Sequence, residues 1–195
     1  MKYFYDTEFL DDGASIDLIS IGIVAEDGRE YYAVSSDMPL DRIKDNDWLV
    51  RNVLPHLPLV ERQQLDTYLR TPPNAYRSTF TLDRVDLDRS DLRVKPRWVI
   101  ANEVREFLLA ANADRDWRQV ELWAYYGAYD HVALAQLWGP MVRLPKGIPM
   151  WTNDIMQLAD GRPLPEQKSD RHDALADARH VKAMWEHLAG QAVTS

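Results

Sequence analysis

The sequence predicts an α/β fold in which helices cover a mixed central sheet. The first third of the chain alternates in the manner of β-strands. A compact apolar strand then lies between two helical segments in the second half of the chain. Near the C-terminus, apolar residues form a continuous stripe at helical spacing. Strands and amphipathic helices in this order are typical of an α/β plan.

Three consecutive antiparallel strands are predicted in the first third of the chain. The segments are residues 2–9, 16–25 and 29–35. The first is rich in aromatic residues, and alternation in the second places Ile19, Ile21 and Ile23 on one face. Asp27-Gly28, between the second and third segments, is typical of a hairpin turn.

The rest of the chain is predicted to be mainly helical. The predicted elements are short helices over 48–54 and 60–69, a helix that begins at Pro96, a strand over 120–126, a helix over 130–138, a short helix capped by Thr152 or Asn153, and a last helix that ends at Gly190. Residues 59–92 are polar and contain Pro72-Pro73, so we expect an insertion or a long loop there. With 195 residues, 46% of them hydrophobic, the chain is long enough for a single domain, which we place at residues 1–190.

Composition and motifs exclude several classes of function. The chain has no cysteine, which excludes disulfides, thiolate zinc sites and a cysteine nucleophile. It lacks Gly-x-Ser-x-Gly, a phosphate-loop motif and Gly-x-Gly-x-x-Gly, which argues against a serine hydrolase, a kinase and a dehydrogenase. The net charge of −8 argues against a broad basic surface for nucleic acid, but it is compatible with carboxylates that hold metal ions against phosphate. Because neither a signal-peptide pattern nor a membrane-spanning apolar run is present, we expect a cytoplasmic protein.

Asp6 and Glu8 form the first candidate site. They lie two residues apart in a predicted strand, so alternation places both carboxylates on the same side of the sheet. Two carboxylates so close together repel each other unless a cation or a proton lies between them. Because the chain has 31 acidic residues, such a pair also arises by chance and does not by itself establish a metal site.

Asp130, His172 and Asp177 are the remaining candidates. Asp130 follows a buried strand and a glycine, where a carboxylate either stabilises the start of a helix or meets a ligand at the strand end. Asp177 lies near the start of the last helix beside its apolar stripe, so its carboxylate is expected to point towards the sheet edge. His172 precedes that helix, in a position from which it can fold over the site.

Taken together, these segments resemble a known family. DTEF, YYGAYDHVAL and HDALADA follow the order of the three motifs of the DEDDh exonucleases of the ribonuclease H-like superfamily, which include ribonuclease T and oligoribonuclease. Within that group, FYDTEFLDDG, LISIGIVAEDGREYYAVS, NVLPHLP, ELWAYYGAYDHVALAQLWGPM and HDALADAR resemble the branch of actinobacterial 3'–5' exoribonuclease AS. The resemblance covers most of residues 1–58 and 97–185. It implies a ribonuclease H-like fold and hydrolysis of single-stranded RNA from its 3' end, with adenylate-rich tails as substrate and nucleoside 5'-monophosphates as products.

The resemblance also implies two Mg²⁺ or Mn²⁺ ions per active site. It implies that Asp6 bridges both ions, that Glu8 and Asp177 hold the ion on the nucleophile side, and that Asp130 supports the other. Such a pair of ions stabilises the attacking and leaving oxygens of an in-line displacement. The resemblance assigns His172 as the general base, a role suited to a group that titrates near neutrality. A homodimer is implied by the similarity to ribonuclease T and oligoribonuclease.

The predicted nucleotide contacts are Thr7, Phe9, Leu10 and Tyr129. Phe9 and Leu10 follow the acidic pair and are placed to wedge against terminal bases, although a core position explains Phe9 equally well. Tyr125 and Tyr126 are expected in the core, whereas Tyr129 neighbours an acidic candidate. A basic run is expected to form a solvated face rather than a track for phosphates; it consists of Arg89, Arg93, Lys95 and Arg97.

Two other functions stay open at the level of sequence. The first is a DNA-directed 3'–5' exonuclease of the same superfamily. The motifs do not separate it from an exoribonuclease, because contacts to the 2'-hydroxyl distinguish RNA from DNA. A non-catalytic nucleic-acid-binding module would keep the fold without the chemistry, although the presence of all five motif residues argues against it.

Overall fold

The computed structural model of the protein describes residues 1–71, 81–110 and 116–192. Within these ranges the strands are β1 (Lys2–Asp11), β2 (Ile16–Ala25), β3 (Glu30–Ser35), β4 (Leu59–Val60), β5 (Asp86–Leu87), β6 (Val94–Lys95), β7 (Glu121–Ala124) and β8 (Asn153–Asp154). The helices are α1 (Leu40–Lys44), α2 (Asp47–Asn52), α3 (Arg62–Arg70), α4 (Arg97–Leu109), α5 (Ala128–Ala135), α6 (Ile155–Ala159) and α7 (Ala174–Ala192). Short 3₁₀ turns occupy Leu54–His56, Trp117–Gln119, Gln136–Trp138 and Met141–Arg143.

Six strands form one mixed sheet in the order β6-β3-β2-β1-β7-β8. β1, β2 and β3 pair antiparallel, whereas β6, β7 and β8 each join the sheet in parallel. Alternation along β1 places Tyr3 and Tyr5 in a core with α4 and α5, and Phe4 in a second core with α6 and α7. The predicted α/β class is thus confirmed, with helices on both faces of a mixed sheet as in the ribonuclease H-like fold.

The parallel pairing of β1 and β7 positions the motifs of the site. Because the two strands run in the same direction, their carboxyl ends lie towards the same edge of the sheet. β1 carries the first motif, and the turn after β7 leads directly into α5, which carries the second. Two motifs that lie more than 100 residues apart in the sequence are therefore brought together by one strand pair.

A β-bulge interrupts the pairing of β1 with β2 beside the first motif. Glu8 lies opposite Ser20, but Phe9 lies opposite Leu18, so Ile19 has no partner on β1. Ile19 consequently packs with α1, α2 and α3, away from the core that holds Ile21. The prediction that Ile19, Ile21 and Ile23 share one face is wrong, because a bulge breaks the two-residue alternation.

The start of α7 packs against the sheet at Gly22, which lies opposite Asp6 on the neighbouring strand. A Cβ atom at Gly22 would lie 2.3 Å from the carbonyl oxygen of Ala174 and 2.5 Å from the Cα of Leu175. Real Cβ atoms do not approach backbone this closely, so a side chain at this position would push the helix away from the sheet. Glycine at this position therefore brings the third motif close to the first.

Most predicted elements are present, with different boundaries. The helix predicted over 48–54 ends at Asn52 and gives way to a 3₁₀ turn, since Pro55 has no N–H to donate. The predicted strand 120–126 ends at Ala124, because Tyr126 has a φ of 54° and leaves the sheet. α1 was not predicted, because five residues are too few to show a helical period.

The ends of the last two helices also differ from prediction. The cap of α6 is Asp154, whose carboxylate accepts the N–H of Met156 at 2.8 Å, so neither Thr152 nor Asn153 caps this helix. α7 continues past Gly190 to Ala192, because this glycine does not adopt the left-handed conformation that ends many helices.

The segment predicted as an insertion or long loop has secondary structure in its described part. β4 and β5 pair antiparallel as a separate two-stranded sheet, and α3 lies between them in the chain. Leu65, Val85 and Leu87 are buried in one core with residues of α1 and α2. Pro72-Pro73 lies outside the described residues. In the part of the chain that the structure describes, no helix has both the length and the apolarity needed to cross a membrane.

Candidate active site

A cleft of about 630 Å³ lies where the three motifs meet. It is lined by side chains of β1, α2, the turn after β7, the first turn of α5, the segment 164–172 and the first turns of α7. All five predicted chemical residues line it: Asp6, Glu8, Asp130, His172 and Asp177. The cleft therefore joins residues that the sequence presents in three separate segments.

Asp130 is fixed to β1 by two hydrogen bonds. Its Oδ1 accepts the backbone N–H of Thr7 at 2.8 Å and the Thr7 hydroxyl at 2.7 Å. Asp130 lies in the first turn of α5 and is only 7% exposed. Thr7 is buried beneath it, so the donors of Thr7 position a carboxylate rather than face the open part of the cleft.

Asp177 is held from the loop that precedes α7. Its Oδ2 accepts the backbone N–H of His172 at 2.9 Å, and its Oδ1 accepts a hydrogen bond from the Gln167 side chain. Asp173 caps the helix, since its Oδ1 accepts the N–H groups of Leu175 and Ala176 at 3.0 Å each. The same loop thus orients both the carboxylate and the histidine of the third motif.

His172 lies at the side of the cleft, as its expected position before α7 implies. Its φ of 67° is left-handed, which a non-glycine residue adopts only where surrounding contacts hold it. Nδ1 of His172 lies 3.9 Å from Oε1 of Glu8. On its other side the imidazole contacts the Trp48 ring edge to face, with ring centroids 4.8 Å apart.

The carboxylates of the cleft raise one another's pKa. Burial, the neighbouring Asp130 and then Glu8 raise the pKa of Asp6 well above its ordinary value. Burial and the charge of Asp177 raise the pKa of Glu8 to about 8. Burial also raises the pKa of Asp130 to about 6, although its hydrogen bonds from Thr7 act in the opposite direction. Ionising all of these groups therefore requires positive charge from another source.

The donor set of the cleft suits a cation. Oxygen and nitrogen atoms of Glu8, His172 and Asp177 all lie within 4.8 Å of one another. Among the described residues, none donates a hydrogen bond to the carboxylates of Asp6 or Glu8, and no lysine or arginine lies within 4.0 Å of them. Partly buried carboxylate oxygens without protein donors are the ligands that divalent cations prefer.

Several aromatic side chains line the cleft, and Tyr129 stacks on one of them. Phe9 and Tyr129 stack with ring centroids 6.0 Å apart, and Tyr125 and Tyr126 contact each other edge to face at 4.6 Å. Tyr126 is 62% exposed and Tyr125 is also exposed, so their predicted core position is wrong. The reason is that the chain leaves the sheet after Ala124.

Leu10 and Tyr129 are the two predicted nucleotide contacts that do not line the cleft. Tyr129 is exposed and stacks on Phe9. Leu10 is only 5% exposed and packs in the core with Ile19. Both residues lie next to the bulge, which directs them towards the same core. Phe9, in contrast, lines the cleft.

The sequence also left several residues of the site unassigned. Trp48, Gln167 and Arg171 line the cleft, but they belong to a short helix and to a loop that carry no motif. Asp154 accepts the N–H groups of Tyr126 and Gly127 at 3.3 and 3.1 Å and so fixes the turn that leads to α5. Its helix-cap position was the only available sequence signal, and this signal does not reveal the contact with a distant turn.

The fold and the acidic cleft together define a nuclease of the ribonuclease H-like class. Residues 1–189 match the family described as 3'-5' exoribonuclease Rv2179c-like domain. The chain belongs to this family, which confirms the resemblance and the class of enzyme inferred from the motifs.

Two curated relatives from Mycobacterium tuberculosis match most of the chain. One is the 3'-5' exoribonuclease MT2234.1 of strain CDC 1551 / Oshkosh, and the other is the 3'-5' exoribonuclease Rv2179c of strain ATCC 25618 / H37Rv. Each is 44% identical over 182 residues, which cover 92% of this chain and 88% of the relative. The similarity is therefore not confined to a fragment, and the family match over residues 1–189 includes all three motifs.

Proposed function

We propose that the chain removes nucleotides one at a time from the 3' end of single-stranded RNA and releases nucleoside 5'-monophosphates. The observation that carries the proposal is the convergence of four carboxylates and a histidine in one cleft, in a chain that belongs to a 3'–5' exoribonuclease family. The aromatic side chains that line the cleft fit an unpaired strand, because unstacked bases can pack on aromatic rings.

Asp6, Glu8, Asp130 and Asp177 would hold two Mg²⁺ or Mn²⁺ ions. The raised pKa values of Glu8 and Asp6 support this assignment, since the pair lacks cationic partners among the described residues. When bound, the ions would stabilise the charge on the attacking and leaving oxygens. The protein's own part is to orient the ligands, through Thr7 for Asp130 and through the loop before α7 for Asp177.

His172 is proposed as the general base that takes a proton from the attacking water. Burial lowers the pKa of His172, while Asp177 acts in the opposite direction, so a neutral imidazole with a free ring nitrogen is available near neutral pH. Its side chain lines the cleft beside Glu8 and is partly exposed, which allows water to reach it. The contact with Trp48 limits the rotation of the ring and keeps it at the cleft.

Phe9 and Tyr129 are the nucleotide contacts that the geometry supports best. Their rings are nearly parallel, with an interplanar angle of 20°, and Tyr129 is exposed. Stacking of a base on an aromatic ring contributes about 1–3 kcal/mol in other single-strand binders. Thr7 stays a weaker proposal, because its donors already bind Asp130.

The substrate is tested with matched, 5'-labelled oligo(A) and oligo(dA) in Mg²⁺ or Mn²⁺. We expect progressive shortening of oligo(A) from its 3' end, release of AMP and slower loss of oligo(dA). Faster loss of oligo(dA) would support the DNA-directed alternative and overturn the RNA assignment. Internal fragments in place of a 3' ladder would contradict the exonuclease mode.

The preference for adenylate and the homodimer are proposals that rest on resemblance, and a cytoplasmic location is proposed alongside them. Comparing oligo(A) with oligo(U) and oligo(C) tests the first, and equal rates would contradict it. Sedimentation equilibrium tests the second, since a dimer has twice the 22.6 kDa of the chain. Exposed apolar side chains outside the cleft, such as Trp98 and Val142, are compatible with a contact between copies.

A further inference from the structure

The charges around the cleft are of one sign, with a single exception. Most of the charged side chains that line it are acidic: Asp6, Glu8, Asp130, Glu166 and Asp177. Among the described residues that line the cleft, Arg171 is the only arginine or lysine. A polyanionic strand that enters this cleft therefore meets one permanently positive side chain belonging to the protein itself.

Arg171 has no acidic partner, although carboxylates are close by. It makes no hydrogen bond or ion pair with another residue in the described ranges, and it is exposed. Other arginines do form ion pairs: Arg42 pairs with Asp12 and Asp17, and Arg179 pairs with Glu30. Since its guanidinium lies more than 4.0 Å from every described carboxylate, its donors are available to a ligand.

The backbone on both sides of Arg171 is tightly held. Asp170 and His172 both have left-handed φ values, 56° and 67°. The Gln167 side chain donates to the carbonyl of Asp170 at 3.4 Å, and the His172 N–H is bound to Asp177. The Cα of Arg171 is therefore fixed next to the histidine, while its side chain stays free to turn towards the opening.

We propose that Arg171 binds a phosphodiester of the RNA strand on the 5' side of the bond that is cleaved. This inference rests on the proposed function. The scissile phosphate belongs beside the carboxylates, and Arg171 makes no pair with them, so its guanidinium reaches a neighbouring phosphate instead. A planar guanidinium donates two parallel hydrogen bonds to phosphate oxygens, which fixes the strand without reading its bases. Arg171 is thus a substrate-positioning residue that acts on any sequence.

The test compares two substrates of the wild-type enzyme and of Arg171→Ala. The first is a short single-stranded oligo(A), and the second is the nitrophenyl ester of adenosine 5'-monophosphate, which contains only the phosphodiester that is cleaved. We expect Arg171→Ala to raise KM for oligo(A) about tenfold at low salt with little change in kcat. Hydrolysis of the ester should stay at the wild-type rate, because it has no neighbouring phosphate.

Salt dependence gives a second readout that a purely structural role would not change. Between about 50 and 200 mM KCl, the slope of log KM against log salt should decrease by about 0.7 for Arg171→Ala, the value of one phosphate contact on a single strand. Arg171→Lys should keep the slope, because it retains the charge, but should raise KM partly, because it cannot bind in a bidentate manner. Arg89→Ala removes the charge of another exposed arginine, which does not line the cleft, and serves as the control.

The outcomes separate this inference from the proposed function. If the wild-type enzyme hydrolyses neither substrate, the proposed function and the assignment of Arg171 are both refuted. If it hydrolyses both and Arg171→Ala is unchanged, or loses activity equally on both, the contact with a neighbouring phosphate is refuted while the active site stands. An equal effect of Arg89→Ala would show that only total charge matters and would also overturn the assignment.

Discussion

Two acidic regions of the molecule contain the same kinds of residue and behave in opposite ways. At the surface, Asp12 and Asp17 both pair with Arg42, and Asp12 also accepts backbone N–H groups from its own turn. These hydrogen bonds lower the pKa of Asp12 to about 2. In the cleft, burial and neighbouring charges raise the pKa of Glu8 to about 8.

The difference shows what distinguishes a structural carboxylate from a candidate ligand. The surface carboxylates are stabilised by Arg42 and by backbone N–H groups, whereas the carboxylates of the cleft carry a repulsion that the described residues do not offset. An external cation is therefore expected to stabilise the carboxylates of the cleft and not those of the surface region. The following predictions test this comparison, from the largest expected effect to the smallest.

Asp6→Ala should abolish turnover of oligo(A), because the proposed mechanism has no second carboxylate that can bridge two ions. The protein should remain folded, and its Tm in EDTA should not fall, since a mutual repulsion has been removed. Rates and thermal unfolding measure the two effects. Asp12→Ala is the matched control and should keep its activity. Retained turnover in Asp6→Ala would refute the two-metal assignment.

His172→Ala should lower kcat by about 10²–10⁴-fold, the range expected for loss of a general base. Binding of Mn²⁺, followed by the increase in Tm that it causes, should change little. The geometry also permits His172 to act as a cation ligand with Glu8 and Asp177. A parallel loss of Mn²⁺ affinity would identify it as such a ligand and exclude the role of base.

The stability of the cation-free protein should fall as pH rises. The pKa of Glu8 is raised from 4.5 to about 8 in the folded state, so its contribution to stability is complete below 4.5 and is lost as pH rises through 8. Asp12 contributes no such change in this window, because its pKa is lowered. Tm should therefore fall between these pH values in EDTA, and Mg²⁺ should restore it.

Glu8→Gln provides the control for this pH dependence. The variant should show a smaller fall in Tm across the same window and a smaller gain from Mg²⁺, because the titrating group is absent. An unchanged pH profile would mean that Glu8 is already ionised without a cation.

Arg42→Ala should have the smallest effect. The side chains of this ion pair are largely solvated, so its loss should change the free energy of unfolding by about 0.5 kcal/mol or less and leave the rate on oligo(A) unchanged. Thermal unfolding and steady-state rates measure both quantities. A marked loss of activity would show that the surface region is coupled to the cleft.

The sequence predicts those parts of the site that depend on short-range periodicity. Alternation in β1 brings Asp6 and Glu8 to one cleft, and the apolar stripe of α7 predicts the position of Asp177. Parts that depend on a local irregularity were missed. The bulge at Ile19 inserts a residue that alternation cannot anticipate, and it moves Leu10 to the core.

Contacts made by loops were equally inaccessible from the sequence. Gln167 reaches Asp177 from a segment with no periodic pattern, and Asp154 caps its own helix while binding the turn at Gly127. Such contacts depend on the positions of distant segments after folding. The family resemblance supplied the roles of the motif residues, but it offered no information on the residues that hold them in place.

Gly22 has a consequence for attempts to make this protein more stable. A glycine inside a strand ordinarily costs about 0.5–1 kcal/mol relative to alanine, so Gly22 is the kind of position that an engineer would replace first. Here the replacement would meet the backbone of α7 and displace the start of the helix that carries Asp177. A larger residue at position 22 would make the strand more rigid, whereas glycine allows the cleft to assemble. The sequence has glycine, which favours assembly of the cleft.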